Sequence, residues 1–185
     1  MLNFPKEGMG VGALAALQIA ETERLTLRRL VPGDAEFLCG LLNEPSWLQN
    51  IGDRGVRTPV DAVQYIQDKF IGSYESLGFG MYLTELKSDS TPIGLCGLVK
   101  RASLPGPDIG FAYRPAFWGH GYAYEASAAI MRYSKSGLGL SKLLAIVKPE
   151  NARSVRLLER LGFAREGDYR IPSNNELCSL YGAAV

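Results

Sequence analysis

Several things that specialised folds depend on are scarce in this 185-residue chain. There are three cysteines, Cys39, Cys96 and Cys178, far apart and odd in number. That excludes a disulfide framework and the paired spacing of a structural zinc site. With His120 as the single histidine, no protein metal site is expected. Unpaired thiols fit a reducing cytoplasm. No apolar run reaches the ~20 residues that cross a membrane. The longest, Met9 to Ala20, contains two glycines. It could pass for a signal-peptide core, but its leader carries only Lys6 against Glu7. Residues 1–21 are therefore read as an N-terminal arm or short helix packed on one domain, 22–185. A charge of one sign is missing too. The 20 basic and 19 acidic side chains leave +1, too balanced for a nucleic-acid binder.

What is present suits one globular domain. Hydrophobic residues are 46% and charged residues 21%, and a chain this long buries roughly 70% of its unfolded surface. The charge is unevenly placed. Residues 1–99 hold 8 basic and 12 acidic side chains, residues 100–185 hold 12 and 7. A basic second half suits a polyanionic small molecule, and equally a solvated surface.

Alternating Leu25 and Leu27 within RLTLRRL predict a first strand. Phe37, Leu38, Leu41 and Leu42 follow at helical spacing, with an end near Pro45. A second helix opens at Thr58 as N-cap, with Pro59 and Asp61 in its first turn. Its stripe is Val63, Ile66, Phe70, Tyr74 and Leu77, stopped by Gly78. Strands are predicted at 80–87, 92–99 and 107–113, then a helix from Tyr122 to about Gly137. The apolar run at 142–148 reads as a strand buried on both faces. A short helix follows, with Gly162 past its end, then strands at 164–171 and 176–182. The class is α/β (α+β). A mixed, mostly antiparallel sheet of six to seven strands is flanked by about four helices, with parallel pairing near the end of the chain.

The segment RPAFWGHGYAYEA, residues 114–126, joins a strand to a helix. Gly119 and Gly121 allow backbone N–H groups to converge, and the helix adds unpaired donors and partial positive charge. Such a loop can hold a diphosphate without any charged side chain. A lone Gly-x-Gly also fits a chance turn. The dinucleotide fingerprint needs a third glycine where Tyr124 stands, and no phosphate-binding Gly-x-x-x-x-Gly-Lys stretch occurs.

Trp118 to Ala123 (W-G-H-G-Y-A), with NARSVRLLERLGF about thirty residues later, resembles the GNAT superfamily of acyl-CoA-dependent N-acyltransferases. The likeness is greatest to the RimJ and RimL branch of ribosomal-protein N-terminal acetyltransferases. It covers about residues 22–182, with the specific motifs within 108–163. The resemblance implies a GNAT fold with a splayed central parallel pair of strands, and acetyl-CoA as co-substrate. It implies that Gly119, His120, Gly121, Tyr122 and Ala123 offer N–H groups to the CoA pyrophosphate, beside Trp118. It implies backbone contacts from Phe111 and Tyr113 to pantetheine and the thioester oxygen. Asn151 would bond the pantetheine arm, and Ser154 would lie near the thioester sulfur. Trp118 departs from the family's Gln or Arg, and Leu158 stands where many relatives carry a general-acid tyrosine.

The implied reaction is acetyl transfer to a primary amine by direct attack, with Asp108, Ser154 and Tyr113 as candidate catalytic groups. Asp108 is the preferred base, directly or through water, and Glu85 is the second candidate. A thiol pKa near 8.5 makes the missing tyrosine tolerable. The Tyr113 N–H would stabilise the oxyanion. Other readings stay open. Asn151 is also a natural helix cap, Asp108 a strand-end turn residue, and His120 a solvent-facing side chain. Arg153 and Arg156 could meet the CoA 3′-phosphate or only solvent. Residues 44–58 are expected to border the acceptor pocket, with Trp47, Asp53 and Arg54 as contacts. The expected partners are acetyl-CoA and the amine, with no nucleic acid and no membrane, in a monomer or homodimer. A non-catalytic acyl-CoA-binding module is the alternative.

Overall fold

The computed structural model describes residues 16–185. The first fifteen residues of the expected arm lie outside them. Where the arm should end, Gln18–Glu21 forms β1, an edge strand antiparallel to β2, Leu25–Arg28. The turn between them is closed by Thr22, whose hydroxyl accepts the Leu25 N–H at 2.9 Å. Leu25 and Leu27 are fully buried, as their alternation requires.

The remaining strands are β3 (Met81–Leu86), β4 (Pro92–Val99), β5 (Asp108–Tyr113), β6 (Lys142–Val147), β7 (Ala164–Arg170) and β8 (Leu177–Ala184). They form one sheet of eight, in the order β1-β2-β3-β4-β5-β6-β8-β7. Every neighbouring pair is antiparallel except β5–β6. The eighth strand beyond the six or seven expected is β1.

The helices are α1 (Ala35–Leu42), α2 (Pro45–Asn50), α3 (Pro59–Tyr65), α4 (Gly72–Leu77), α5 (Tyr122–Ser136) and α6 (Ala152–Arg160). The sequence reading ended α1 near Pro45 but gave no helix there. That proline is also the first residue of α2, a position where its missing N–H costs nothing. Thr58 caps α3 as expected, with a reciprocal Thr58–Asp61 pair at 3.2 and 2.8 Å. Between α3 and α4 the chain makes π-helical turns, Ile66–Ile71. The wider turns rotate the apolar stripe. Ile66, Phe70 and Tyr74 are buried, while Val63 and Leu77 at its ends are exposed.

On one side of the sheet α5 buries Ala126, Ala129 and Ile130 against β4 and β5. Strands β3 and β4 approach closely at Gly97. A Cβ there would lie 2.3 Å from the Gly80 carbonyl oxygen. Gly97→Ala is expected to lower the unfolding free energy by about 1–3 kcal/mol, read from urea midpoints.

Candidate active site

The parallel pair decides the site. β5 stays in register with β4 from Val99↔Asp108 to Gly94↔Tyr113. With β6 it shares only Asp108↔Leu144, where the Leu144 N–H also donates to the Pro107 carbonyl at 3.1 Å. Beyond that point the two strands diverge. The Arg114 N–H donates to Ile93 in β4. By the two-residue period of a strand, the amides of Phe111 and Tyr113 then face away from β4, into the gap. The Tyr113 carbonyl accepts the Trp118 indole N–H at 2.8 Å on that open side.

The gap ends at the glycine loop. Gly119 and Gly121 have φ of +81° and +82°. Among the described residues, no intramolecular acceptor takes the N–H of Gly119, His120 or Gly121. The first turn of α5 adds the free N–H groups of Tyr122, Ala123 and Tyr124, since its first bond back to the loop is from Glu125 to Gly121, 3.0 Å. The result is a concave set of donors at the positive end of a fifteen-residue helix, suited to a diphosphate.

Loop and gap open into one cleft of about 1690 Å³. It is lined by Phe111, Tyr113, Trp118, Asn151 and Ser154, by residues of α2, and by the π-helical turns. Asn151 caps α6 by accepting the Ser154 N–H at 3.2 Å, so its side-chain oxygen is already engaged. Leu158, in the tyrosine's place, is buried at 1% exposure. The Tyr113 hydroxyl is buried as well, 3.3 Å from Thr84 Oγ1, and desolvation pushes its pKa well above the usual value. Only its backbone can serve the cleft. Tyr113→Phe should therefore keep kcat/KM within about twofold and lose about 1 kcal/mol of stability, as steady-state kinetics and melting would show.

Asp108 is 2% exposed at the point where the strands part. Burial raises its carboxyl to about 6, against the pull of Arg101, whose Nε lies 3.1 and 3.2 Å from its oxygens. Arg101 itself lines the cleft. Asp108 does not line it, and neither does Glu85. In β3 Glu85 is held by Arg28, at 2.6 Å, together with Asp34. Asp53 likewise turns to Arg57 rather than into the cleft, whereas Trp47 and Arg54 line it.

His120 is exposed, with Nδ1 2.9 Å from the Trp118 carbonyl and its ring stacked on Tyr122. Arg153 lies over Trp118 at 4.9 Å and Arg160 over Tyr124 at 4.8 Å. With Arg156 they carry cationic charge along the face of α6 that lines the cleft. The sequence reading missed Arg101, Arg160 and Arg24. The one sequence signal for Arg101 is the turn-forming LPGP segment between it and Asp108, across which the two side chains meet. Among the described residues no group of three His, Cys, Asp or Glu side chains could hold a metal. No helix among them is long and apolar enough to cross a membrane.

Residues 24–164 match the acetyltransferase (GNAT) domain family. The chain belongs to the GNAT acetyltransferases. It is 30% identical over 155 residues to the uncharacterized N-acetyltransferase YoaA of Bacillus subtilis, covering 82% of this chain and 86% of that one. Over 69 residues it is 35% identical to the ribosomal-protein uS5-alanine N-acetyltransferase of Escherichia coli, covering 37% and 36%. A solved structure of RimL, a ribosomal L7/L12 α-N-protein acetyltransferase, in complex with coenzyme A shares the fold. Its TM-score is 0.77 at 18% identity, over 91% and 98% of the two chains. The uS5 and L7/L12 enzymes are ribosomal-protein acetyltransferases, as in the branch that the W-G-H-G-Y-A loop resembles. GNAT membership makes the chain an acyl-CoA-dependent acetyltransferase.

Proposed function

We propose that this GNAT enzyme transfers acetyl from acetyl-CoA to a primary amine by direct attack, both substrates being held in the one cleft. The observation that supports this reading best is the β5–β6 gap running into a loop of unpaired N–H donors. Gly119 to Ala123 would hold the diphosphate, and Phe111 and Tyr113 the pantetheine, through backbone amides. Asn151 and Ser154 border the arm from α6. Acetyl-CoA supplies the thioester carbon that the amine attacks.

The chain's own residues then have three tasks. The Tyr113 N–H would hold the thioester oxygen as charge builds on it. Asp108, at the apex of the gap, would take the proton that the amine sheds, through a water past Arg101. The CoA thiolate leaves with little help, since a thiol pKa near 8.5 needs no strong acid. The acceptor would enter beside Trp47, Arg54 and the π-helical turns. Protein N-termini suit this chemistry, because an α-amine near pKa 8 is partly neutral at pH 7 whereas an alkyl amine near 10.4 is not. The three free thiols fit a reducing cytoplasm.

The test is release of CoA thiol, followed with a chromogenic disulfide, across a panel of peptide N-termini, amino acids and polyamines. Turnover with any of them supports the reading. Tight CoA binding with no turnover would leave an acyl-CoA-binding module instead.

A further inference from the structure

The glycine loop is braced from outside by a residue its motif does not contain. Arg24 lies in the β1–β2 turn, 96 residues away from His120 in sequence. Its Nη1 donates to the His120 carbonyl at 3.1 Å. Its Nε and Nη2 reach Glu125 Oε2 at 2.8 and 2.6 Å. The other oxygen of Glu125 accepts the Arg24 N–H at 3.0 Å and the Thr22 hydroxyl at 2.6 Å. The guanidinium also sits 4.6 Å from the centre of the Tyr122 ring, on which His120 stacks.

The bond to the His120 carbonyl has a particular consequence. In a trans peptide the C=O of one residue and the N–H of the next point in opposite directions. With the His120 oxygen drawn to Arg24, the Gly121 N–H must point away from Arg24. That peptide joins His120 to Gly121, whose φ is +82°, and the missing side chain at Gly121 leaves one of its two flanking torsions free to turn. The guanidinium charge is taken up by Glu125, whose carboxylate is saturated by four donors. Arg24 therefore acts on the loop and is not itself aimed at a phosphate.

We infer that Arg24 is a positioning residue for the acetyl donor, fixing the His120–Gly121 peptide so that the loop presents its N–H groups to the diphosphate. This rests on the reading of residues 118–123 as the diphosphate site. It predicts a selective defect, confined to donors that carry a diphosphate.

The experiment compares wild type, Arg24→Ala and Arg24→Lys by calorimetry with CoA, and by kinetics with acetyl-CoA and with acetyl-pantetheine, which lacks the diphosphate. For Arg24→Ala, the CoA Kd and the acetyl-CoA KM should rise about tenfold. The kinetics with acetyl-pantetheine and the acceptor KM should stay within about twofold. Arg24→Lys keeps a cation for Glu125 but cannot also reach His120. It should melt like wild type yet lose CoA affinity as the alanine variant does, which also guards against a variant that fails to fold. Equal losses with both donors, unchanged CoA affinity in Arg24→Ala, or full rescue by lysine would each overturn the inference. Wild type that binds no CoA would overturn the diphosphate reading itself, and this inference with it.

Discussion

Asp108→Asn is expected to lower kcat by about 10²-fold or more, the usual scale for a lost general base. The pH dependence separates this from an indirect effect. An acceptor amine must be neutral to attack, so log kcat/KM falls with slope one below its own pKa, near 8 for an α-amine. In wild type a second proton matters once Asp108 begins to protonate, about pH 6, and the slope steepens to two. The asparagine variant should keep slope one throughout. Stability should move the other way. The folded Asp108 carboxyl lies above its ordinary value of 3.8, so the folded state binds that proton more tightly than the unfolded chain. Its contribution to stability is fully present below about pH 4 and is lost as pH rises through about 6. At pH 7 the buried charge is a cost of roughly 2–3 kcal/mol. Asp108→Asn should therefore melt higher than wild type at pH 7, with the gain vanishing near pH 4. Arg101 is 34% exposed and can be solvated when its partner is neutralised. A variant that is less stable than wild type at pH 7 and equally active would reduce Asp108 to an ion-pair partner and sink the base assignment.

The parts of this site that the sequence made legible are those written in backbone geometry. Gly119 and Gly121 need positive φ, and a strand feeding a helix through them can hardly do anything but gather N–H groups. Asn151 and Ser154 were legible as a cap, and the cap is there at 3.2 Å. Side-chain direction was harder. Glu85 alternates with buried neighbours in its strand, but its surroundings are set by Arg28 across the sheet, which local pattern does not encode. Asp53 was equally open until Arg57, four residues on, took it. Edges and irregular turns were least legible. The residues of β1, QIAE, alternate too weakly to declare a strand. Pro45 signals a helix stop and a helix start alike. The π-helical turns shift the stripe of α3 without any residue that announces them. Arg24 could not be found at all from the sequence, because its partners His120 and Glu125 lie 96 and 101 residues away.

Gly121→Val should abolish measurable acetyl-CoA binding, a loss of about 10²-fold or more by calorimetry, in a protein that still folds. Gly121 has φ of +82° and forms the N-cap of α5. A β-branched residue tolerates that conformation poorly, at a cost on the order of 1–3 kcal/mol. The loop can relieve the strain only by rotating the peptides on either side of position 121. That rotation turns the Gly121 and Tyr122 N–H groups out of the cradle and misaligns the first turn of α5. The strain is therefore released at the expense of the ligand rather than of the core, since a Cβ at 121 meets nothing closer than Arg24 at 3.5 Å. Acetyl-pantetheine, with no diphosphate, should bind and react with the variant nearly as with wild type. Retained CoA affinity in Gly121→Val would show that the diphosphate does not depend on this loop. The arginines of α6 would then become its principal anchor, through Arg153 beside Trp118 and Arg160 beside Tyr124.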